Sequence, residues 1–286
     1  MAFYHGNRWE ETIVISMPIK LVISDNDGCF GDFKKFSRPH EEDLRPHIGG
    51  LYRIRDLCSE HKLFLSMNTG RSLEKSIKTI HGIGANAPCA LEMGTLIYDP
   101  NTDNAHSLAE NRFIYLKDAQ NAIRKFMDVV DRSYDEIKER LGCNLERLDD
   151  RKHIITYEFE NGVGGIMFTI LHEKMPDNMK EFLKKGYIKV VQSKGAIDIM
   201  PDIGKGAVTD YIMELIGISP EKAMSIGDAA HTDIEMLKKT GYAGCPSNSD
   251  DETKAYVRSR NGKGYISMRK YEKGVFDIIS HGIRNW

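Results

Sequence analysis

Three absences narrow the possibilities before any motif is read. No apolar run approaches the ~20 residues needed to span a bilayer, and the N-terminus lacks the apolar stretch of a secretory signal. The expectation is a protein neither exported nor anchored, with no membrane partner. The five cysteines (Cys29, Cys58, Cys89, Cys143 and Cys245) are odd in number, scattered and without a CxxC pair. That speaks against a disulfide framework or a zinc knuckle and for a reducing cytoplasm. An excess of charge of one sign is also missing: the formal net charge is −2, so the main argument for nucleic acid or acidic lipid is gone and a small metabolite is the better partner. Repeats, low-complexity tracts and long linkers are lacking too. What remains, 286 residues with 41% hydrophobic and 29% charged, fits a globular chain of one large or two modest domains. Oligomeric state is not legible.

The hydrophobic pattern carries the architecture. Residues 1–16 give no clear fold signal and are read as an N-terminal extension. Ile19 to Ser24 is a nearly continuous apolar run ending at Asp25-Asn26-Asp27-Gly28, as expected of a central parallel strand buried on both faces. Residues 47–61 read as a helix, and Leu63 to Met67 as a second strand ending in Asn68-Thr69-Gly70-Arg71. A helix capped by Ser72 follows, with Leu73, Ile77 and Ile80 on one face. The rhythm returns in helix 206–217, strand Ala223 to Ile226, a turn at Gly227-Asp228 and helix 232–240. Together these predict an α/β fold with a doubly wound parallel sheet.

Between the halves the period changes. Apolar residues from Leu116 to Leu141 recur at steps of three and four, which predicts one amphipathic helix. His153–Glu160 and Gly165–His172 alternate around Asn161-Gly162 and read as a hairpin; Tyr187–Gln192 and Ala196–Met200 read as a second, across Ser193-Lys194-Gly195. The expectation is an inserted α+β cap at 107–203, with the core at 17–106 and 204–286.

In open α/β sheets ligands sit beyond the carboxyl ends of the strands, so Asp25-Asn26-Asp27-Gly28, Thr69-Gly70-Arg71 and Gly227-Asp228 should converge, with Lys205 reaching the same spot. Arg71 is divided evenly between phosphate support and a structural ion pair. Four carboxylates near a phosphate dianion would repel it by ~4 kcal/mol per pair at 4 Å and an effective dielectric near 20. One lysine cannot offset that, which argues for a divalent cation.

The set Asp25-x-Asp27-Gly28, Thr69-Gly70-Arg71, Lys205-Gly206 and Gly227-Asp228-x-x-x-x-Asp233 resembles, in order, the four motifs of the haloacid dehalogenase superfamily. The insert's place and the approach Ile197-Asp198-Ile199-Met200-Pro201 are similar to its Cof-type, sucrose-phosphatase-like branch with a large α/β cap. The resemblance implies a Mg²⁺-dependent phosphohydrolase acting on a small phosphorylated metabolite such as a sugar phosphate. It implies Asp25 as nucleophile and Asp27 as acid and base, with Thr69, Gly70 and Lys205 on the phosphate. Asp25, the Asp27 carbonyl and Asp228 would take Mg²⁺, and Asp233 would bind through water or orient Lys205. Cys29, where Thr is usual, and Met93, where relatives tend to have Asn, are departures. Two alternatives stay open: a phosphomutase resembling phosphomannomutases, and a non-catalytic phospho-aspartate sensor, against which Asp27 and the large insert argue.

Overall fold

The computed structural model describes residues 18–33, 44–148, 151–160, 162–192 and 195–286. The N-terminal extension, Asn161 and Ser193-Lys194 lie outside the described residues. The first apolar run forms β1 (Leu21–Ser24), buried along its length. Then come α1 (Ile48–Glu60), β2 (Phe64–Met67) and α2 (Leu73–Gly82). The Ser72 side chain accepts from the Lys75 amide and so caps α2. Three antiparallel strands not foreseen from sequence, β3 (Cys89–Leu91), β4 (Leu96–Asp99) and β5 (Asn104–Ser107), make a small sheet. A single bridge, Asn68 to Ala90, links it to the chain beyond β2.

The middle of the chain supplies α3 (Lys117–Arg132), α4 (Tyr134–Leu141), β6 (Leu145–Arg147), β7 (Ile155–Phe159), α5 (Gly164–Lys174), α6 (Asp177–Lys184), β8 (Ile188–Gln192) and β9 (Ala196–Pro201). Its four strands form an antiparallel sheet in the order β6-β7-β9-β8. Side chains from Ala119 to Ile199 make a hydrophobic cluster of their own, with Phe126, Tyr157, Ile170 and Ile197 at its centre. The chain then gives α7 (Gly204–Ile216), β10 (Ala223–Ile226), α8 (Ala230–Lys239), β11 (Tyr242–Cys245), α9 (Asp251–Ser259), β12 (Gly264–Ile266) and α10 (Tyr271–Asn285).

The main sheet has the order β12-β11-β10-β1-β2, with every pair parallel. Side chains of a strand alternate between faces, so Leu21 and Ile23 pack with Val208 and Ile212 of α7 and Met236 of α8. Val22 packs with Leu51 and Ile54 of α1 and Ile278 of α10. Both faces are covered by helices, which is why β1 reads as an unbroken apolar run. From β1 the chain winds outward to β2, then returns to β10 on the other side of β1. This reversal opens a crevice at the carboxyl ends of β1 and β10.

Two expectations are corrected. Gly165–His172 is not a strand but part of α5. Met167, Ile170 and Leu171 are buried at helical spacing while Ile166 and Phe168 stay exposed, so an apolar-rich helix imitated alternation over a few residues. β7 instead lies between β6 and β9, with Arg147 opposite Tyr157 and Ile155 opposite Ile199. The long helix from Leu116 to Leu141 is also interrupted. The Ser133 amide turns back to the Val130 carbonyl (3.0 Å) and helical bonding resumes with the Ile137 amide donating to the Ser133 carbonyl (2.9 Å). The apolar stripe crosses that break without losing its phase, and Ile123, Phe126, Val130, Ile137 and Leu141 are all buried.

Candidate active site

Register brings the acids together. Ser24 lies opposite Ile226, and the next step of the ladder is the Asp25 amide donating to the Ile226 carbonyl (2.9 Å). Asp25 and the Gly227-Asp228 turn therefore leave neighbouring strands side by side. Lys205, second residue of α7, is 4% exposed. Its Nζ lies 2.8 Å from Asp25 Oδ1 and 2.7 Å from Asp233 Oδ1. Oxygens of Asp25, Asp228 and Asp233 all fall within 4.8 Å of one another.

Asp233 is the fixed member of this group. Its Oδ1 takes Lys205 Nζ and the Thr232 hydroxyl (3.1 Å), while its Oδ2 accepts the amides of Asp228 (2.9 Å) and Ala229 (3.2 Å). Asp250 ties down the same loop, its Oδ2 accepting the Ala230 amide (2.8 Å) and its amide donating to the Asp228 carbonyl (3.0 Å). Gly28 gives Asp228 its room. It has φ +71°, and a Cβ there would lie 1.9 Å from Asp228 Oδ2, so a side chain would be strained and would expel the carboxylate.

Electrostatics oppose this crowding. Burial, first of all, pushes Asp25 up to about 7; Lys205 pulls it down, while Asp233 and Asp27 push it further up. Asp228 is pushed up to about 8 by burial and then by Asp25 and Asp233. Burial also works against charge on Lys205, yet Asp233 and Asp25 outweigh it and its ammonium is held upward. Ionised, three carboxylates and one ammonium leave the group two charges negative. The donors are all hard oxygens, which fits a magnesium-like divalent cation.

Asp27 lies in the same cleft but faces another partner. Arg71 Nε is 2.8 Å from both of its oxygens and Arg71 Nη2 is 2.6 Å from Oδ1, while Nη2 also donates to the Phe33 carbonyl (2.7 Å). Arg71 thus sits in the ion pair that was one of its two readings. Thr69 is fully buried and its hydroxyl accepts the Arg71 amide (3.2 Å); Gly70 lines the cleft. The cleft has a volume of about 440 Å³, within the range of small-molecule sites. A larger groove of about 600 Å³ beside Tyr52 and Ile77 contains none of these acids.

Several lining residues escaped sequence reading. Arg151, Val191 and Asp198 come from the middle of the chain, and Asn248 and Tyr271 from its end. Arg151 Nη1 lies 2.9 Å from Asp198 Oδ1 and also donates to the Thr156 hydroxyl. In sequence Arg151 stands in the run Asp149-Asp150-Arg151-Lys152, which looks like a solvated face. Tyr271 carries a left-handed φ of 52°, a strain of about 1–3 kcal/mol that sequence does not announce. Its amide and the Gly28 carbonyl are both held by the Asn248 side chain (3.0 and 2.8 Å).

These features define an acidic centre, built from three carboxylates and a lysine, at the switch point of a doubly wound parallel sheet. The chain belongs to the haloacid dehalogenase-like hydrolases, whose family pattern it matches over residues 53–279; the expected resemblance is borne out, although the match begins after Asp25. It is 26% identical over 104 residues to a phosphoglycolate phosphatase of Methanothermobacter thermautotrophicus, covering 36% of this chain and 44% of that protein. To one of Archaeoglobus fulgidus it is 30% identical over 89 residues, 29% and 40% of the two chains. The matched stretches span less than half of these relatives' length. The fold is shared with a Thermoplasma acidophilum protein of known structure at TM-score 0.64 and 18% identity, covering 93% of this chain and 98% of the other. It is shared too with the sucrose-phosphatase of Synechocystis sp. PCC6803, solved with sucrose and phosphate, at TM-score 0.58 and 16% identity over 93% and 98%.

Replacing Lys205 by Met should cost about 3–5 kcal/mol, because breaking a buried ion pair leaves uncompensated charge. Urea unfolding checks this, and a variant as stable as the parent would contradict the arrangement of charges described above.

Proposed function

We propose that the chain is a Mg²⁺-dependent phosphoric monoester hydrolase acting on a small phosphorylated metabolite through an aspartyl-phosphate on Asp25. One observation carries the reading: Asp25, Asp228 and Asp233 meet around Lys205 at the strand-end crevice, in a cleft of metabolite size. Membership of a hydrolase family and the phosphatase names of the partial relatives support it. Free cysteines, four of them buried, support a reducing cytoplasm. No helix among the described residues is long and apolar enough to cross a membrane.

In the first step an Asp25 oxygen attacks phosphorus as the ester P–O bond breaks, and the departing oxygen takes a proton from Asp27. In the second, water gives a proton to Asp27 and attacks phosphorus, the Asp25–P bond breaks, and inorganic phosphate leaves. Lys205 and the Gly70 amide, with the Thr69 hydroxyl behind them, hold phosphoryl oxygens. Asp25, Asp228 and the Asp27 carbonyl would hold Mg²⁺, which when bound supplies positive charge to the transferring group. Asp233 keeps Lys205 and the Asp228 loop in place. Asp27 must exchange Arg71 for the leaving group, so Arg71 acts as its resting partner. The elements from α3 to β9 form a cap over the cleft and set substrate preference.

Asp25→Asn should lower phosphate release by roughly 10³-fold or more while the protein stays folded, and EDTA should abolish the activity until Mg²⁺ is returned. A malachite-green screen over sugar phosphates, phosphoglycolate and nucleotides reads both. Activity of Asp25→Asn close to wild type, or full activity in EDTA, would overturn the mechanism.

Asp27→Asn should separate leaving groups. General acid catalysis contributes about 10²–10⁴-fold, and p-nitrophenolate departs without a proton. In single-turnover release the variant should therefore lose far more on an alkyl phosphate than on p-nitrophenyl phosphate. Equal losses would remove Asp27 from the acid role.

A further inference from the structure

Outside the acidic cluster, two consecutive residues, Glu92 and Met93, hold left-handed backbone at φ 48° and 56°, which persists only where the surroundings enforce it. The enforcement comes from the Thr69–Arg71 loop: the Glu92 amide donates to the Arg71 carbonyl (2.9 Å) and the Met93 amide to the Thr69 carbonyl (3.1 Å). The turn is thereby pinned to the loop assigned to the phosphate, and the Glu92 side chain, 1% exposed, is directed at another part of the chain. Both of its oxygens accept the Lys152 amide (3.1 Å each), and Oε2 accepts the His153 amide (2.8 Å). Charge-assisted bonds of this kind are among the stronger ones in a buried setting.

Those two amides immediately follow Arg151, which lines the cleft with Nη1 on Asp198. Glu92 stands on the sheet-bearing core, and the amides stand on the segment leading into β7. We propose that Glu92 is a positioning residue: its carboxylate docks the Lys152–His153 backbone onto the phosphate-side loop and so sets Arg151 as the roof's contact with an oxygen-rich leaving group. This rests on the phosphatase reading for the role of Arg151; the docking itself rests on geometry alone.

The test uses the full chain and two readouts. Glu92→Asn suits the left-handed backbone but is one methylene too short to reach the amides, whereas Glu92→Gln keeps length and one acceptor oxygen. Residue-resolved hydrogen exchange without metal should show the Lys152 and His153 amides opening about tenfold faster or more in Glu92→Asn, and by less in Glu92→Gln, as expected for lost local protection. Unchanged exchange would overturn the docking. If Glu92→Asn does not fold, the Gln variant decides by the same criterion. In the kinetic arm, with glucose 6-phosphate and Mg²⁺, Glu92→Asn should act mainly through a higher KM, as should Arg151→Met. The double variant should lose little beyond the larger single loss, since residues acting through one another are not additive. Fully additive losses would overturn the link to Arg151. A wild-type protein that hydrolyses no phosphate ester would sink the phosphatase reading, and the exchange result would still judge the docking.

Discussion

The ladder between β1 and β10 sets Asp25 beside the Asp228 turn, and the first turns of α7 and α8 add Lys205 and Asp233. Backbone geometry thus forces three carboxylates around one ammonium. At contact distances and an effective dielectric near 20 each pair is worth ~4 kcal/mol. The three repulsive pairs are roughly offset by the attractions to Lys205, so the desolvation of all four groups remains uncompensated. The upward displacement of Asp25 and Asp228 reflects that residue of unfavourable energy. Asp233 cannot relieve it by moving, because both of its oxygens are already engaged. Relief can come from protonation of a carboxylate or from a bound cation, and under the proposed function a divalent cation takes that place and draws in phosphate.

The parts of the fold that were legible in sequence are those governed by one strong rule. Continuous apolar runs ending in Asp and Gly marked β1 and β10, and Ser72 marked the start of α2, because burial on both faces and capping leave local signatures. The strands β3 to β5 left none: they are about as short as β1 and β10, but none runs into a cluster of Asp and Gly, and Asn104–Ser107 is polar and mostly exposed. The error at α5 has its own root, since a helix with Ile166 and Phe168 on its exposed side blurs the contrast on which periodicity depends.

The site divided along a similar line. Asp25, Lys205 and Asp228, at strand ends and a helix start, could be brought to one spot from sequence because topology makes them converge, whereas Asp233 came only with the motif resemblance. Arg151 and Tyr271 reach the cleft through tertiary packing, and nothing in their neighbours announces it; Asp198 stood in a segment that the resemblance picked out, without a role assigned to it. Met93 is intermediate. Its departure from Asn was visible, but only the left-handed φ explains why Asn, which tolerates that conformation, suits the position.

The two sides of the cleft are built on different principles. The floor is held by side chains that each answer to several partners: Asp233 binds two amides, a hydroxyl and Lys205, and Gly28 admits no Cβ. Few substitutions can satisfy all of those constraints at once. The opposite wall is fastened differently, with Glu92 gripping the backbone amides of Lys152 and His153. An amide is present whatever side chain a residue carries, so the wall's side chains can change without releasing that hold. Under the proposed function, a floor that resists change facing a wall that tolerates it would let a new leaving group be accommodated while the chemistry at the strand ends stays as it is, with that freedom in the stretch from α3 to β9.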